Sequence, residues 1–182
     1  MKILVLAGST RVGSIHRKLA QQAAEALRQA GVEATFVDLR DFPMPMYDGD
    51  LESAEWLPVS AMALKELARE ADGFAIASPE YNGSYPALLK NALDWISRPE
   101  PGEGSLQAFR GKVAGILSAS PGQGGGKRVL KQLRELLTMM RVNVIAEELS
   151  FPGATGELGE VEQGRLREWA EALAHIGAAK VA

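Results

Sequence analysis

The segment from Gly8 to Arg17, GSTRVGSIHR, has the composition of an anion-binding loop. Its glycines let the backbone approach a ligand closely, its hydroxyl side chains can donate hydrogen bonds, and its arginines supply positive charge. The apolar residues that follow recur at helical spacing, so the loop opens into a helix whose first amides also point at an anion. These features predict that Ser9, Arg11, Ser14 and Arg17 surround an anionic group.

The loop lacks features of two known phosphate-binding motifs, and their absence limits which anion it can bind. In nucleoside triphosphatases a lysine follows the second glycine of the phosphate loop, whereas here Ser14 follows Gly13. The dinucleotide fingerprint G-x-G-x-x-G is also missing, because Ser9 and Thr10 directly follow Gly8. A single terminal phosphate held without a metal ion suits the loop best, and a simple helix-capping loop is the alternative.

Two further loops have unusual compositions. Residues 78–86, SPEYNGSYP, contain an Asn-Gly turn signal followed by a serine and a proline typical of a helix start. Pro79, Glu80 and Tyr81 in the same loop suit the edge of a planar ligand, and composition alone leaves both interpretations open. Residues 118–128, SASPGQGGGKR, contain three consecutive glycines, which indicate either close approach to a ligand or an exposed loop before a helix.

Short apolar runs alternate with stretches of helical periodicity, a pattern typical of β-α-β units. Strands are predicted at residues 3–7, 34–39, 73–78, 112–118 and 142–146, with helices between them and at the C-terminus. Together they predict an α/β fold: a doubly wound, five-stranded parallel sheet with helices on both faces. Such sheets bind ligands beyond the carboxyl ends of their strands, and each of the three loops follows a predicted strand.

Composition excludes several classes of function. The 182 residues suit one domain, 1–182, with 46% apolar and 24% charged residues. The absence of cysteine excludes thiol chemistry and suits a cytoplasmic location. The chain has only two histidines and no G-x-S-x-G motif, so the sequence predicts neither a metal site nor a catalytic triad. A net charge of −3 and a first apolar run that stops at Gly8 favour neither nucleic acid nor a membrane as partner.

The three motifs together, GSTRVGSIHRKLA, SPEYNGSYPALLKNALDW and SASPGQGGGKR, resemble the NADPH-dependent FMN reductase family of flavodoxin-like enzymes. They occur in the family's order and, with the fold, cover roughly residues 1–146. The resemblance implies FMN as cofactor and NADPH or NADH as electron donor. It places Ser9, Arg11 and Ser14 at the FMN phosphate with His16 and Arg17 nearby, Pro79, Glu80, Tyr81 and Asn82 along the isoalloxazine ring, and Gly83 and Ser118 close by. Many family members have asparagine where this chain has His16, and a histidine can also donate to a phosphate.

The resemblance also implies a reaction. The reduced nicotinamide would transfer a hydride to the flavin and leave, and a small electron acceptor would then take its place, in a ping-pong cycle. Quinones, free flavin, ferric complexes, azo compounds and chromate are the expected acceptors, and no side chain is assigned as catalytic. Residues 41–58 resemble the family region that reaches towards a partner subunit, which implies a homodimer or homotetramer. A flavodoxin-type electron carrier is the alternative, although the two arginines of the first loop and the mild net charge favour the enzyme.

Overall fold

The computed structural model describes the backbone of residues 1–181 and the side chains of residues 1–177. The strands are β1 (Lys2–Ala7), β2 (Glu33–Val37), β3 (Gly73–Ala77), β4 (Val113–Ser120) and β5 (Asn143–Pro152). The helices are α1 (Ile15–Gln29), α2 (Gly49–Glu55), α3 (Val59–Glu70), α4 (Ala87–Ser97), α5 (Lys127–Met139) and α6 (Glu160–Val181). None of the described helices has both the length and the apolar character needed to cross a membrane.

All paired strands are parallel, and they lie in the order β2-β1-β3-β4-β5. The chain leaves β1 towards β2 on one side and then returns to β3 on the other side of β1. This reversal creates a topological switch point between β1 and β3, where ligands of doubly wound sheets bind. The predicted five-stranded, flavodoxin-like α/β fold is confirmed.

Side chains of β1 alternate between two hydrophobic layers, as strand geometry requires. Ile3 and Val5 pack with α1 and α6 on one face, whereas Leu4 and Leu6 pack with α3, α4 and α5 on the other. Since both faces are covered by helices, β1 consists of apolar residues almost throughout. The sheet is therefore a rigid base for the loops at its carboxyl edge.

The ends of β2 and β5 differ from the prediction for reasons that the structure explains. Strand β2 ends at Val37, because the side chain of Asp38 accepts the Arg40 N–H and starts a short 3₁₀ helix, Leu39–Asp41. Strand β5 continues to Pro152, beyond the predicted end at residue 146, after an irregularity in its pairing with β4. Polar residues hide this continuation in the sequence, since an edge strand tolerates them on its exposed side.

The proline-rich segment 41–58 packs along α4 and contains the unpredicted helix α2. The carbonyl oxygen of Pro45 accepts hydrogen bonds from Asn91 Nδ2 and Trp95 Nε1, each at 2.8 Å. The Tyr47 N–H donates to Asn91 Oδ1 at 2.7 Å, and the Tyr47 ring meets Trp95 edge-on at 5.0 Å between centroids. Trp95, fully buried, is therefore the packing residue that holds this segment.

Candidate functional site

The loops after β1 and β3 touch each other at the switch point. Gly8 N–H donates to the carbonyl oxygen of Ala77 at 2.9 Å. A Cβ atom on residue 8 would lie 3.2 Å from Pro79 Cδ and 3.4 Å from Ser78 Oγ, which is tighter than most packed contacts. A glycine at this position therefore lets the two loops approach.

A cleft of about 370 Å³ opens between these two loops and the start of α4. The first predicted loop contributes residues 8–11 to its lining, and the second contributes Tyr81 and Pro86, followed by Ala87 and Leu88 of α4. The tertiary structure thus brings two of the three sequence motifs around one cavity. The first loop is the anion-binding motif, and Tyr81 presents an aromatic ring that is 53% exposed.

The first loop has hydrogen-bond donors that face no protein acceptor. Ser9 Oγ accepts the Arg11 N–H, and Ser14 Oγ accepts the Arg17 N–H as N-cap of α1, both at 3.4 Å. Both hydroxyls are buried, and within the described residues neither donates to a protein group. Since burying an unsatisfied donor costs free energy, these hydroxyl hydrogens suit an anionic ligand.

The two arginines of this loop have different surroundings. Arg11 is exposed and forms no ion pair with any described residue, so its positive charge is available to a ligand. Arg17, in contrast, places a guanidinium nitrogen 2.5 Å from Asp38 Oδ2 at the end of β2. Asp38 therefore balances much of the charge of Arg17, which makes Arg11 the stronger attractor of an anion.

His16 is buried beneath the loop, where its Nε2 accepts the Ala119 N–H at 3.2 Å. Burial lowers the pKa of the imidazole to about 4, and the positive charge of Arg11 lowers it too. The ring is therefore neutral at pH 7, with its hydrogen on Nδ1 because Nε2 is an acceptor. The ring links α1 to the end of β4 through Nε2. Its Nδ1–H remains available as a hydrogen-bond donor.

The second loop is a tight hairpin turn. Asn82 and Gly83 both have positive φ, 51° and 81°, and the backbones of Tyr81 and Ser84 exchange hydrogen bonds of 2.9 and 3.0 Å. This arrangement is a type I′ turn, which the Asn-Gly pair favours. Gln132 of α5 fixes the turn, since its Nε2 donates to the Gly83 carbonyl at 2.8 Å and its Oε1 accepts the Ser84 hydroxyl at 2.5 Å.

Glu80 and Ser118 contact protein groups around the second loop. Glu80 Oε2 accepts the Val129 N–H at 3.3 Å, in the first turn of α5, where a carboxylate is favoured by the helix dipole. Ser118 is fully buried, and its hydroxyl donates to the Ser78 carbonyl at 2.7 Å. Both side chains therefore help to position the loop whose backbone borders the cleft.

The glycine-rich loop after β4 is explained by packing of the chain against itself. Gly126, with a φ of 77°, begins α5 directly over the end of β4, where a Cβ atom would overlap Ser118 Oγ. The cations that follow, Lys127 and Arg128, are exposed in the first turn of α5. Neither this loop nor its cations line the cleft.

Sequence reasoning missed three residues that organise the site: Asp38, Arg40 and Gln132. Asp38 pairs with Arg17, and the Arg40 guanidinium donates to the carbonyl oxygen of Thr10. The prediction that β2 extends to residue 39 placed Asp38 inside a strand and obscured this contact. Charged residues just after a strand at the carboxyl edge of the sheet were the available signal.

Residues 1–156 match the family model of NADPH-dependent FMN reductases. The chain belongs to this family. It is 33% identical over 178 residues to a quinone reductase of Escherichia coli K12, covering 91% of this chain and 88% of that protein. The resemblance predicted from the three motifs is confirmed, and with its family the chain is an oxidoreductase.

Solved structures agree on the fold of this family member. The flavoenzyme NAD(P)H:(acceptor) oxidoreductase FerB of Paracoccus denitrificans superimposes with a TM-score of 0.78 at 24% identity, over 96% of this chain and 97% of that one. A flavodoxin of Pseudomonas aeruginosa superimposes with a TM-score of 0.60 at 22% identity, over 96% and 99% of the two chains. At these identities the similarity establishes the flavodoxin-like fold.

The buried His16 makes stability depend on pH. Its pKa is about 4 in the folded protein and about 6.5 when unfolded, so the unfolded chain binds more protons between these values. The free energy of unfolding should therefore fall as the pH drops below about 6.5. Between pH 7.5 and pH 5, the free energy of unfolding of the wild type should fall by about 2 kcal/mol more than that of His16→Asn. Urea unfolding at both pH values measures this difference.

The matched control for this measurement is the exposed His175 on α6. His175→Asn should retain the wild-type pH dependence, since this variant leaves the buried His16 in place. If His16→Asn and His175→Asn lose stability equally between the two pH values, the burial of a neutral His16 is not the cause.

Proposed function

We propose that this oxidoreductase binds FMN in the cleft between the first and second loops and passes electrons from NADPH or NADH to a small acceptor. The observation that carries the proposal is the arrangement of the cleft. An anion-binding loop, whose Arg11 forms no ion pair with a described residue, and a loop bearing an exposed aromatic ring border the same cavity. The family of the chain supports the same cofactor.

The first loop fits the phosphate of FMN. Ser9 and Ser14 offer buried hydroxyl donors, and the first turn of α1 offers backbone amides. Arg11 supplies a charge that no described carboxylate neutralises, whereas Arg17 shares its charge with Asp38. In this proposal Ser9, Arg11 and Ser14 bind the phosphate directly, and His16 and Arg17 support the loop from α1.

The second loop fits the isoalloxazine ring. Pro79 is buried and lies against Gly8, which holds the start of the second loop beside the cleft. Tyr81 offers a ring face, and the amides of Asn82 and Gly83 donate to no described acceptor. Such backbone donors stabilise the negative charge that develops on a flavin ring when it is reduced. Ser118 and Glu80 would act indirectly, by holding this loop through Ser78 and α5.

Bound FMN supplies the redox chemistry, since it accepts a hydride from a reduced nicotinamide and releases electrons to an acceptor. The protein holds the phosphate, orients the ring and supplies the donors near it. The cleft is open on its outer side, which suits a ping-pong cycle in which the nicotinamide leaves before the acceptor enters. Quinones are the proposed acceptors, with free flavin, ferric complexes, azo compounds and chromate as further candidates.

Exposed apolar side chains in the segment 41–58 and at the start of α3 support the proposal that the protein is a homo-oligomer, either a dimer or a tetramer. This stretch exposes several large apolar side chains, which in soluble proteins often mark an interface. The exposed side chains are Met46, Tyr47, Trp56, Val59 and Met62. We propose that a second copy of the chain covers them, close to α4, whose first residues line the cleft.

The proposed activity predicts rapid reduction of bound flavin by NADPH or NADH without oxygen. Mixing the yellow holoprotein anaerobically with either nucleotide should bleach the flavin absorbance near 450 nm within seconds, on the order of typical enzyme turnover. Adding a quinone should restore the colour. Flavin that stays oxidised under both nucleotides would identify an electron carrier of the flavodoxin type and contradict the proposal.

The phosphate site predicts a specific effect of Arg11. Arg11→Ala should weaken FMN binding by about tenfold or more, because a charge-assisted contact contributes about 1.5–3 kcal/mol. Riboflavin, which lacks the phosphate, should bind equally well to both proteins in a fluorescence titration. The control is Lys18→Ala, which removes an exposed charge of α1 that does not line the cleft. Equal loss of riboflavin affinity would mean that Arg11 does not contact the phosphate.

The proposed oligomer predicts a mass above 19.5 kDa in solution. Light scattering after gel filtration should give twice or four times this mass. Trp56→Lys should shift the protein towards the monomer, because a charge placed in an apolar interface is costly. The exposed Val161 of α6 provides the control, since Val161→Lys should leave the mass unchanged. A monomeric wild-type protein would contradict the proposed interface.

A further inference from the structure

Arg40 contacts the first loop from outside the cleft. It lies in the 3₁₀ helix Leu39–Asp41 after β2, and its guanidinium donates to the carbonyl oxygen of Thr10. Thr10 and Arg11 both line the cleft, whereas Arg40 does not. Arg40 thus holds the backbone of the loop without lining the cavity itself.

This contact fixes the direction of one peptide group. In a trans peptide the carbonyl and the N–H point in opposite directions, and all described peptide bonds here are trans. With the Thr10 carbonyl directed to Arg40, the N–H of the same peptide, that of Arg11, points the opposite way. It approaches the hydroxyl oxygen of Ser9, a buried residue of the cleft lining, at 3.4 Å.

Arg40 is itself anchored by Asp38. One carboxylate oxygen of Asp38 accepts the Arg40 N–H at 3.0 Å, and the other pairs with Arg17 of α1 at 2.5 Å. The carboxylate is only 12% exposed, so these two bonds fix its orientation. The end of β2 and the first turn of α1 are thereby joined, and the loop between β1 and α1 is braced at Thr10.

We propose that Arg40 is a positioning residue for phosphate binding, acting through the Thr10–Arg11 peptide. By holding the Thr10 carbonyl, it keeps the Arg11 N–H on the hydroxyl oxygen of Ser9, so that the hydrogen of this hydroxyl is left to the group bound by the loop. This inference rests on the proposed binding of FMN in the cleft. Without the Arg40 contact the peptide can rotate, and the loop loses a preorganised donor to the phosphate.

The test compares wild-type protein, Arg40→Met and Lys18→Met as full chains freed of flavin. Arg40→Met should weaken FMN binding by about tenfold, the usual value of one hydrogen bond to a charged group, and leave riboflavin binding unchanged. Lys18→Met removes an exposed charge from α1 and should keep wild-type affinity for both flavins. Equal weakening by both variants would assign the effect to net charge and overturn the inference.

A second readout follows the peptide itself. In ¹H–¹⁵N spectra, FMN should shift the Arg11 amide strongly in wild-type protein, and Arg40→Met should reduce that shift by at least half while other loop amides still respond. An undiminished Arg11 shift, or unchanged FMN affinity, would overturn the inference. Wild-type protein that binds no FMN would overturn the proposed function as well. If the wild type binds FMN and Arg40→Met binds it equally well, only the inference about Arg40 is overturned.

Discussion

The hydrogen bond between Gly8 and Ala77 is the contact on which the site depends. It joins the ends of β1 and β3, from which the chain departs towards opposite faces of the sheet. Helix α1 packs on one hydrophobic layer and α4 on the other, so the two loops meet at their bases and diverge above. The cleft is the space that this divergence leaves, and a Cβ atom at residue 8 would crowd Pro79 where the two loops meet.

Most polar side chains around the cleft hold loops in place. Ser118 and His16 tie the end of β4 to the second loop and to α1, while Gln132 fixes the hairpin turn from α5. The atoms that form these bonds are not available to a ligand. The donors that remain in the first loop include the side chains of Ser9, Arg11 and Ser14 and the Nδ1–H of His16, so the anion-binding capacity is concentrated in this loop.

Much of the fold was predictable because its signals are local. Apolar runs bounded by glycine or serine identify β1 and β3, and the five-strand sheet follows from their alternation with helical patterns. Helix α2 and the end of β5 were missed for a physical reason. The former buries none of its residues, and the latter has polar residues on the exposed side of an edge strand, so neither shows the expected apolar pattern.

The sequence by itself determined which loops carry ligand-binding chemistry, since glycines, hydroxyls and arginines in one short segment have few other uses. Only the tertiary structure decided how each residue acts. Arg11 and Arg17 are equivalent in the sequence, yet the edge strand β2 brings Asp38 to Arg17, whereas Arg11 has no ion-pair partner in the described part of the chain. Likewise, Glu80 turns to α5 because that helix begins with glycine and presents a free amide. Such differences depend on contacts between residues distant along the chain, which no local pattern encodes.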